Sequence, residues 1–340
     1  MDTKMESVIL KEPGIMKYEQ RPIPKPINHE VLIKIKKLGI CGSDIHAYGG
    51  NQAFFSYPRI IGHEICGEIV DSNGSKRLNT GDRVTVMPYM ACYQCTACRN
   101  EKQNCCEKLQ VLGVHLDGAA AEYMTVPKDY VIPVNDIEED NVALIEPLAI
   151  SAHAVRRAKV NKGQKAIVIG LGTIGLGAAA LLESEGLEVV GIDISESRIQ
   201  HFEDQLNLKA YSAEEKNLKE IIYKHFHQEF PMLVLDATGN KKSMENAVQY
   251  LSHGGQLIFV GFHKGNIEMN DIEFHKREAT LLRSRAATKD DFYYVMDHIK
   301  NGKMNPKEFM ITHKIPFNQW VEQFEQIIND TELLKCIVEF

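Results

Sequence analysis

The chain has 340 residues, of which 44% are hydrophobic and 25% are charged, and these proportions argue against a disordered chain. Lys and Arg number 39 against 46 Asp and Glu, a net charge of −7. That balance argues against a protein whose main task is to bind nucleic acid or an anionic membrane. Neither a membrane-spanning segment nor a signal peptide is recognisable. We therefore expect a cytoplasmic protein whose eight cysteines are reduced thiols or metal ligands.

Short β-segments separated by turn residues occupy the first third of the chain. Segments 30–36, 65–70 and 83–88 are apolar or alternating and are bounded by Gly, Pro, Asn or Asp, which is typical of strands. Many short strands with turn signals predict a barrel or a sandwich.

From about residue 146 onward, strands and helices alternate. This rhythm predicts an open, doubly wound parallel sheet. The predicted helices are 149–159, 174–185, a helix capped by Ser195, 213–226, 241–251, 289–300 and 318–329, and the predicted strands are 165–170, 188–193, 232–237, 256–261 and 335–340.

A glycine motif lies between the strand 165–170 and the helix that follows it. It reads Gly170-Leu-Gly172-Thr173-Ile174-Gly175. The first glycine permits a tight turn, the second a close approach of backbone to a pyrophosphate, and the third close packing of helix on strand. The sequence therefore predicts a dinucleotide bound at the helix N-terminus.

The residues after the next strand bear on cofactor choice. Asp193 ends that strand and can accept hydrogen bonds from both ribose hydroxyls, while its charge repels a 2′-phosphate. Arg198 follows one helical turn later and can in principle bind such a phosphate. We expect NAD as the cofactor, with NADP the less favoured alternative.

Four cysteines stand close together as Cys92, Cys95, Cys98 and Cys106. This spacing allows four thiolates to surround one tetrahedral Zn²⁺ in a single loop, whereas an iron–sulfur cubane favours a shorter last gap. Cys105 is a neighbour that could replace Cys106 as a ligand.

A second, dispersed set of residues suits a catalytic zinc. Cys41, His63 and Glu146 offer sulfur, nitrogen and oxygen donors, and a catalytic zinc needs three protein ligands and one exchangeable position. Sequence alone does not show that they converge, and a buried cysteine and a surface histidine are the alternative. The pair His63-Glu64 is not a peptidase HExxH motif, because Gly67 follows.

Taken in order, CGSDIH, GHE, the four-cysteine loop, EPL and GLGTIG resemble the zinc-dependent medium-chain alcohol and polyol dehydrogenases. The resemblance implies a GroES-like β-barrel catalytic domain in residues 1–150, a Rossmann NAD-binding domain in 151–288, and a segment 289–340 that returns to the catalytic domain. It also implies a homodimer or homotetramer.

The same resemblance implies two Zn²⁺ per chain. Cys41, His63 and Glu146 would ligate the catalytic ion, with water, substrate or Glu64 in the fourth place, and the four clustered cysteines would ligate the structural ion. The sorbitol and threonine dehydrogenase branches carry glutamate at the position of Glu146, which points away from simple alcohols.

Residues after Cys41 fit a proton path. By the resemblance, Ser43 would contact the substrate hydroxyl and His46 would pass its proton to solvent, since imidazole titrates near neutral pH. Asp44 would accept the ring N–H of His63. A surface histidine and a turn-forming aspartate are the respective alternatives.

Segments 49–70, 112–118 and 284–292 are also similar to bacterial L-galactonate and L-gulonate 5-dehydrogenases. This similarity implies that NAD oxidises the C5 hydroxyl of a sugar acid to a keto acid. The substrate carboxylate requires a cation, for which Arg285 is our first candidate and Arg59 our second; His115 is interpreted as structural. A polyol or L-threonine dehydrogenase is the enzymatic alternative, and an NAD-binding redox-sensing module with structural zinc is the non-enzymatic one.

Overall fold

The computed structural model describes residues 3–340. Its N-terminal part is built around a seven-stranded sheet of order β10-β6-β5-β3-β18-β17, with β9 also paired to β3. Two of these strands, β17 (Ile311–Pro316) and β18 (Lys335–Glu339), come from the C-terminal end of the chain. A three-stranded sheet, β2-β1-β4, and the small pair β7-β8 complete this part. The elements are β1 (Lys4–Glu12), β2 (Ile15–Pro22), β3 (Glu30–Gly39), α1 (Gly42–Tyr48), β4 (Arg59–Ile60), β5 (Glu64–Asp71), β6 (Arg83–Val86), β7 (Tyr89–Met90), α2 (Thr96–Arg99), β8 (Gln110–Val111), β9 (Tyr123–Pro127), β10 (Val131–Pro133) and α3 (Glu139–Ala143).

Strand β3 shows why these residues form a half-buried sheet. Val31, Ile33 and Ile35 are fully buried, while Leu32 and Lys34 between them are partly exposed. Side chains of a strand point alternately to its two faces, so this alternation places the apolar face of β3 in the core.

The second part is a six-stranded sheet in which every pair is parallel, of order β13-β12-β11-β14-β15-β16. The order reverses between β11 and β14, and ligands of doubly wound sheets bind at such a switch point. The elements are α4 (Ile145–Arg157), β11 (Lys165–Ile169), α5 (Thr173–Ser184), β12 (Glu188–Asp193), α6 (Glu196–Leu206), β13 (Lys209–Ser212), α7 (Leu218–His225), β14 (Leu233–Asp236), α8 (Lys241–Asn246), β15 (Gln256–Phe259), α9 (Asp271–Arg277) and β16 (Thr280–Arg283).

Both faces of the parallel sheet are buried. Ala166 and Val168 of β11 belong to a core that continues into the N-terminal part. Ile167 and Ile169, on the opposite face, belong to a smaller core formed with α7 and α8. This two-sided burial explains why the strands of the sheet are continuously apolar.

The C-terminal segment joins the N-terminal sheet. It contains α10 (Lys289–Lys300), α11 (Pro306–Met310), β17 (Ile311–Pro316), α12 (Trp320–Ile328) and β18 (Lys335–Glu339). Strand β18 pairs antiparallel with β3, with Ile337 opposite Gly39. The last strand is therefore an internal strand of the N-terminal sheet, next to the residues that precede Cys41.

The α/β class and the doubly wound parallel sheet predicted from the sequence are confirmed. Strand 188–193 and helix 289–300 have the predicted bounds, whereas α4 begins four residues earlier than predicted. The helix predicted over 213–226 is confined to Leu218–His225. The β1–β2 hairpin, α9, β16, α11 and β17 have no counterpart in the prediction. Within residues 3–340, no helix combines the length and the apolarity needed to cross a bilayer.

Candidate active site

Cys41, His63 and Glu146 come from separate parts of the chain into one buried region. Cys41 precedes α1, His63 precedes β5, and Glu146 lies in the first turn of α4. Cys41 and the charge of Glu146 both act on the His63 ring and raise its pKa. Tyr89 donates its hydroxyl to Glu146 Oε1. Within residues 3–340, only the four clustered cysteines have ligand atoms that all lie within 4.8 Å of one another, so the three are neighbours in a looser arrangement.

The electrostatics of this region favour a cation. Burial opposes a charged imidazole, but Cys41, Glu146 and Asp44 together raise the pKa of His63 well above its ordinary value. Burial also raises the pKa of the Glu146 carboxyl. Sulfur, nitrogen and oxygen donors in a region of negative potential suit Zn²⁺.

Glu64 is held by a buried lysine. Lys335 Nζ lies 2.6 Å from Oε1 and 2.7 Å from Oε2 of Glu64, and 3.0 Å from the carbonyl oxygen of Ile40. The two side chains are 3% and 0% exposed. All three ammonium protons are therefore used, and both oxygens of Glu64 are engaged by Lys335.

Asp44 contacts the backbone rather than the ring of His63. Its Oδ2 accepts the amide of Cys41 at 2.9 Å and its Oδ1 accepts the amide of Gly62 at 3.2 Å. His63 Nδ1 has no partner among residues 3–340, so the predicted bond between Asp44 and His63 is absent. The carboxylate instead fixes the two backbone segments that carry Cys41 and His63.

Ser43 and His46 lie one turn apart on α1. The Ser43 hydroxyl is buried and has no partner within residues 3–340. His46 is exposed, and its Nδ1 lies 2.9 Å from Asn51 Oδ1, so that nitrogen donates. Residues spaced by three share a helix face, which gives a short path from a buried hydroxyl to solvent.

Four sulfur atoms form a compact cluster in the predicted cysteine loop, which we call the cysteine lobe (residues 92–106). Cys95 Sγ lies 4.0 Å from Cys106 Sγ, and backbone amides donate to Cys92 and Cys106. Backbone amides of Cys98 and Glu107 lower the pKa of Cys95 to about 6. Cys105 is exposed and lies outside the cluster. The arrangement could hold one tetrahedral Zn²⁺.

The glycine motif opens onto a cavity of about 590 Å³ at the switch point of the parallel sheet, lined in part by Gly170, Gly172, Asp193 and Arg198. The residues Thr173, Ile174 and Gly175 are not among those that line it. Thr173 instead donates to the carbonyl of Leu334 at 2.7 Å, which joins α5 to the C-terminal segment. The cavity is large enough for a substantial part of a dinucleotide.

Asp193 and Arg198 flank the same cavity. Asp193 Oδ2 accepts the amide of Leu171 at 2.6 Å and Oδ1 that of Ser195 at 2.9 Å. A Cβ added to Gly172 would lie 3.9 Å from the Arg198 guanidinium. Asp193 thus fixes the glycine loop, and Arg198 extends toward it.

Arg59, His115 and Arg285 lie in a third cluster. Burial and the charges of both arginines lower the pKa of His115, whose Nδ1 accepts the amide of Val111 at 3.1 Å. The loop that carries His115 also packs on the backbone beside His63, because a Cβ on Gly118 would lie 2.2 Å from the Gly62 carbonyl oxygen. Segments 49–70 and 112–118 of the narrower resemblance therefore pack together beside His63, and the charge of Arg285, in the third segment, acts on His115.

The two arginines differ in availability. Arg59 is 18% exposed and pairs with Asp117 at 3.3 Å, while it donates to Ser56 at 2.9 Å. Arg285 is exposed. Arg285 is therefore the freer cation for an anionic ligand.

Sequence reasoning missed Tyr89, Lys335 and Asn104. Tyr89 follows a predicted strand, and Lys335 begins another. Asn104 is 3% exposed in the cysteine lobe. For Tyr89 and Lys335 the only signal in the sequence was a polar residue next to an apolar strand. Such a pattern does not show which residue the side chain contacts.

Comparison with known proteins agrees with this architecture. Residues 27–136 match the alcohol dehydrogenase GroES-like domain, and residues 173–301 match the zinc-binding dehydrogenase domain. The chain is 45% identical over 338 residues to L-galactonate-5-dehydrogenase of Escherichia coli K12, covering 99% of each chain. It is 30% identical to a sorbitol dehydrogenase of Halalkalibacterium halodurans, covering 92% of this chain and 93% of the relative.

A solved structure extends the likeness to three dimensions. RspB, an alcohol dehydrogenase of Escherichia coli CFT073 in complex with NADH, superposes with a TM-score of 0.93 at 28% identity, covering all of both chains. The GroES-like domain and the Rossmann sheet predicted from the sequence are thus confirmed. The chain belongs to the zinc-type medium-chain dehydrogenase family, and it is an oxidoreductase that acts on alcohol groups.

Proposed function

We propose that this protein is an NAD-linked dehydrogenase that oxidises the C5 hydroxyl of a six-carbon sugar acid, L-galactonate or L-gulonate, to a keto acid. The observation that carries the substrate assignment is that the charges of Arg59 and Arg285 both act on His115, in a loop that packs on the backbone beside His63. A carboxylate requires cations or N–H donors, and this cluster supplies them. The 45%-identical L-galactonate-5-dehydrogenase supports the same substrate class.

Two zinc sites belong to the proposal. Cys41, His63 and Glu146 would hold the catalytic ion, and Cys92, Cys95, Cys98 and Cys106 would hold the structural one. When bound, the catalytic ion supplies Lewis acidity that lowers the pKa of a substrate hydroxyl. Lys335 engages both oxygens of Glu64, so Glu64 would serve as a fourth ligand only through a lone pair that this lysine leaves free.

Ser43 and His46 would move the substrate proton. The buried, unpartnered hydroxyl of Ser43 is suited to accept the hydrogen bond of a substrate hydroxyl. Exposed His46, oriented by Asn51, would exchange that proton with solvent.

The glycine loop and Asp193 would bind the cofactor. The amides at the start of α5 suit the pyrophosphate, and the Asp193 carboxylate favours a free ribose over a 2′-phosphate. Arg198 lies beside Gly172 and would bind a 2′-phosphate, so we expect weaker activity with NADP. We expect hydride transfer to NAD, with the residues of both parts holding substrate and nicotinamide together.

A substrate screen tests the reaction. Purified enzyme with added zinc is assayed against hexonates, polyols and L-threonine, each with NAD and with NADP. We expect the highest kcat/KM for L-galactonate or L-gulonate with NAD. Turnover of sorbitol or L-threonine without turnover of any hexonate would refute the sugar-acid assignment.

Metal analysis separates the two zinc sites. We expect two zinc ions per wild-type chain and one in both Cys41→Ser and Cys95→Ser. Cys41→Ser should lose at least about a thousandfold in kcat, because the catalytic ion stabilises the transition state by several kcal/mol. Its Tm should change little, because this ion serves the reaction and not the fold. Cys95→Ser should lower Tm by several degrees, because a structural ion stabilises the fold. An unchanged Tm in Cys95→Ser would contradict the structural role.

A homodimer or homotetramer in the cytosol completes the proposal. Strand β16 is an edge strand with exposed Leu281, and such an edge can pair with another chain. The clustered thiols must stay reduced to bind zinc, which suits the cytosol. Analytical ultracentrifugation would measure the subunit number, and a monomer at assay concentration would contradict this part.

A further inference from the structure

A buried asparagine connects the cysteine lobe to Arg285. Asn104 lies in the turn Gln103–Cys105 and is 3% exposed. Its Nδ2 lies 3.0 Å from the carbonyl oxygen of Arg285 and 3.0 Å from Nε2 of His153. One side-chain amide therefore joins the lobe, helix α4 and the segment after β16.

The hydrogen-bond pattern fixes the direction of every proton in this network. Asp291 Oδ2 lies 2.8 Å from His153 Nδ1, and a carboxylate of a residue whose pKa lies at about 2 can only accept. His153 Nδ1 therefore donates, and its Nε2 accepts one proton of the Asn104 amide. The other amide proton goes to the Arg285 carbonyl.

The backbone at Arg285 needs an external partner. Strand β16 ends at Arg283 and α10 begins at Lys289, so neither element fixes this segment. Ala286 has a φ of 52°, in the left-handed region that alanine rarely adopts. The bond from Asn104 satisfies the carbonyl in front of this turn and thereby limits where the Arg285 side chain can extend.

We infer that Asn104 is a positioning residue through which the cysteine lobe holds Arg285 at the substrate carboxylate. This inference rests on the proposed function, because Arg285 must contact the substrate. It gives the lobe a role in substrate recognition in addition to its zinc cluster.

A double-mutant cycle with Asn104→Ala and Arg285→Gln tests the inference. One lost hydrogen bond corresponds to about a tenfold effect, so we expect Asn104→Ala to raise KM for the hexonate about tenfold and change kcat by less than about threefold. In the Arg285→Gln background the same change should add less than about twofold, because both act through one side chain. The shift in Tm caused by saturating hexonate should shrink in parallel.

Matched variants exclude a general loss of structure. Asn100→Ala removes an amide that bonds only Thr96 within the same lobe and should leave KM unchanged. Asn104→Asp keeps the shape and removes both donated protons, so it should resemble Asn104→Ala. Zinc content and NADH affinity should remain as in the wild type.

Three results would overturn the inference: KM effects that add in the double variant, an Asn104→Ala enzyme with wild-type KM, or an Arg285→Gln enzyme with wild-type KM. The cycle is run with whichever hexonate or polyol the wild-type enzyme oxidises. A failed sugar-acid assignment is therefore recognised in the substrate screen, separately from a failed role for Asn104.

Discussion

Replacing Lys335 with methionine should lower the free energy of unfolding by about 3–5 kcal/mol, as expected when one member of a buried ion pair is removed. Lys335 donates to both oxygens of Glu64 and to the Ile40 carbonyl. Methionine fills a similar volume but leaves the Glu64 carboxylate buried without its counter-ion. Urea unfolding of the zinc-loaded enzyme, followed by circular dichroism, measures the change.

A second variant separates lost charge pairing from lost packing. Lys335→Met combined with Glu64→Gln should recover more than half of the lost stability, because no charge is then left unpaired. Lys314→Met is the matched surface control. Lys314 is 42% exposed, and its partner Asp140 keeps Lys37 at 2.6 Å, so we expect a loss below about 1 kcal/mol. An equal loss in Lys335→Met and Lys314→Met would contradict the role assigned to the buried pair.

The pair of Lys335 with Glu64 shows what sequence reasoning lacked. The strand 335–340 was predictable from its apolar run, yet a lysine at the start of a strand is usually solvated. Only the pairing of β18 with β3 brings this lysine to a residue 271 positions away. A contact of that separation leaves no local pattern in a single sequence.

Local patterns carried the predictions that succeeded. The four cysteines lie within one short loop, so their spacing already limits their geometry, and the structure gathers their sulfur atoms. Helix α4 begins at Ile145, four residues before the predicted start, and Pro147 lies within those four residues. Pro147 lies in the first turn of α4, where backbone amides have no acceptor within the helix. Its missing amide proton therefore costs no helical hydrogen bond.

The candidate substrate residues were predicted without their surroundings. Arg59 and Arg285 came from resemblance, but their distance from His115 depends on loops packed across the two parts of the molecule. Asp44 was assigned to the His63 ring, and the structure directs it to two backbone amides instead. Side-chain direction at loops is decided by which polar backbone groups need a partner, and sequence spacing does not specify this.

Replacing Gly175 with alanine should lower stability, whereas replacing Gly172 of the same motif should weaken cofactor binding. A Cβ on Gly175 would lie 1.8 Å from the carbonyl oxygen of Gly170, so helix α5 would have to move away from β11. We expect Gly175→Ala to lose about 3 kcal/mol or more, since overpacking against backbone cannot be relieved by a side-chain rotation. Thermal unfolding of the cofactor-free enzyme measures this loss.

Gly172→Ala is the matched variant, because its Cβ would meet nothing closer than Arg198 at 3.9 Å and would face the cavity. Its stability should stay within about 1 kcal/mol of the wild type, while NADH binding, followed by fluorescence titration, should weaken about tenfold or more, or about 1.4 kcal/mol. A Gly172→Ala enzyme with wild-type NADH affinity would mean that the glycine loop does not approach the pyrophosphate. The contrast between the two variants therefore separates the glycine that permits the fold from the glycine that permits the cofactor.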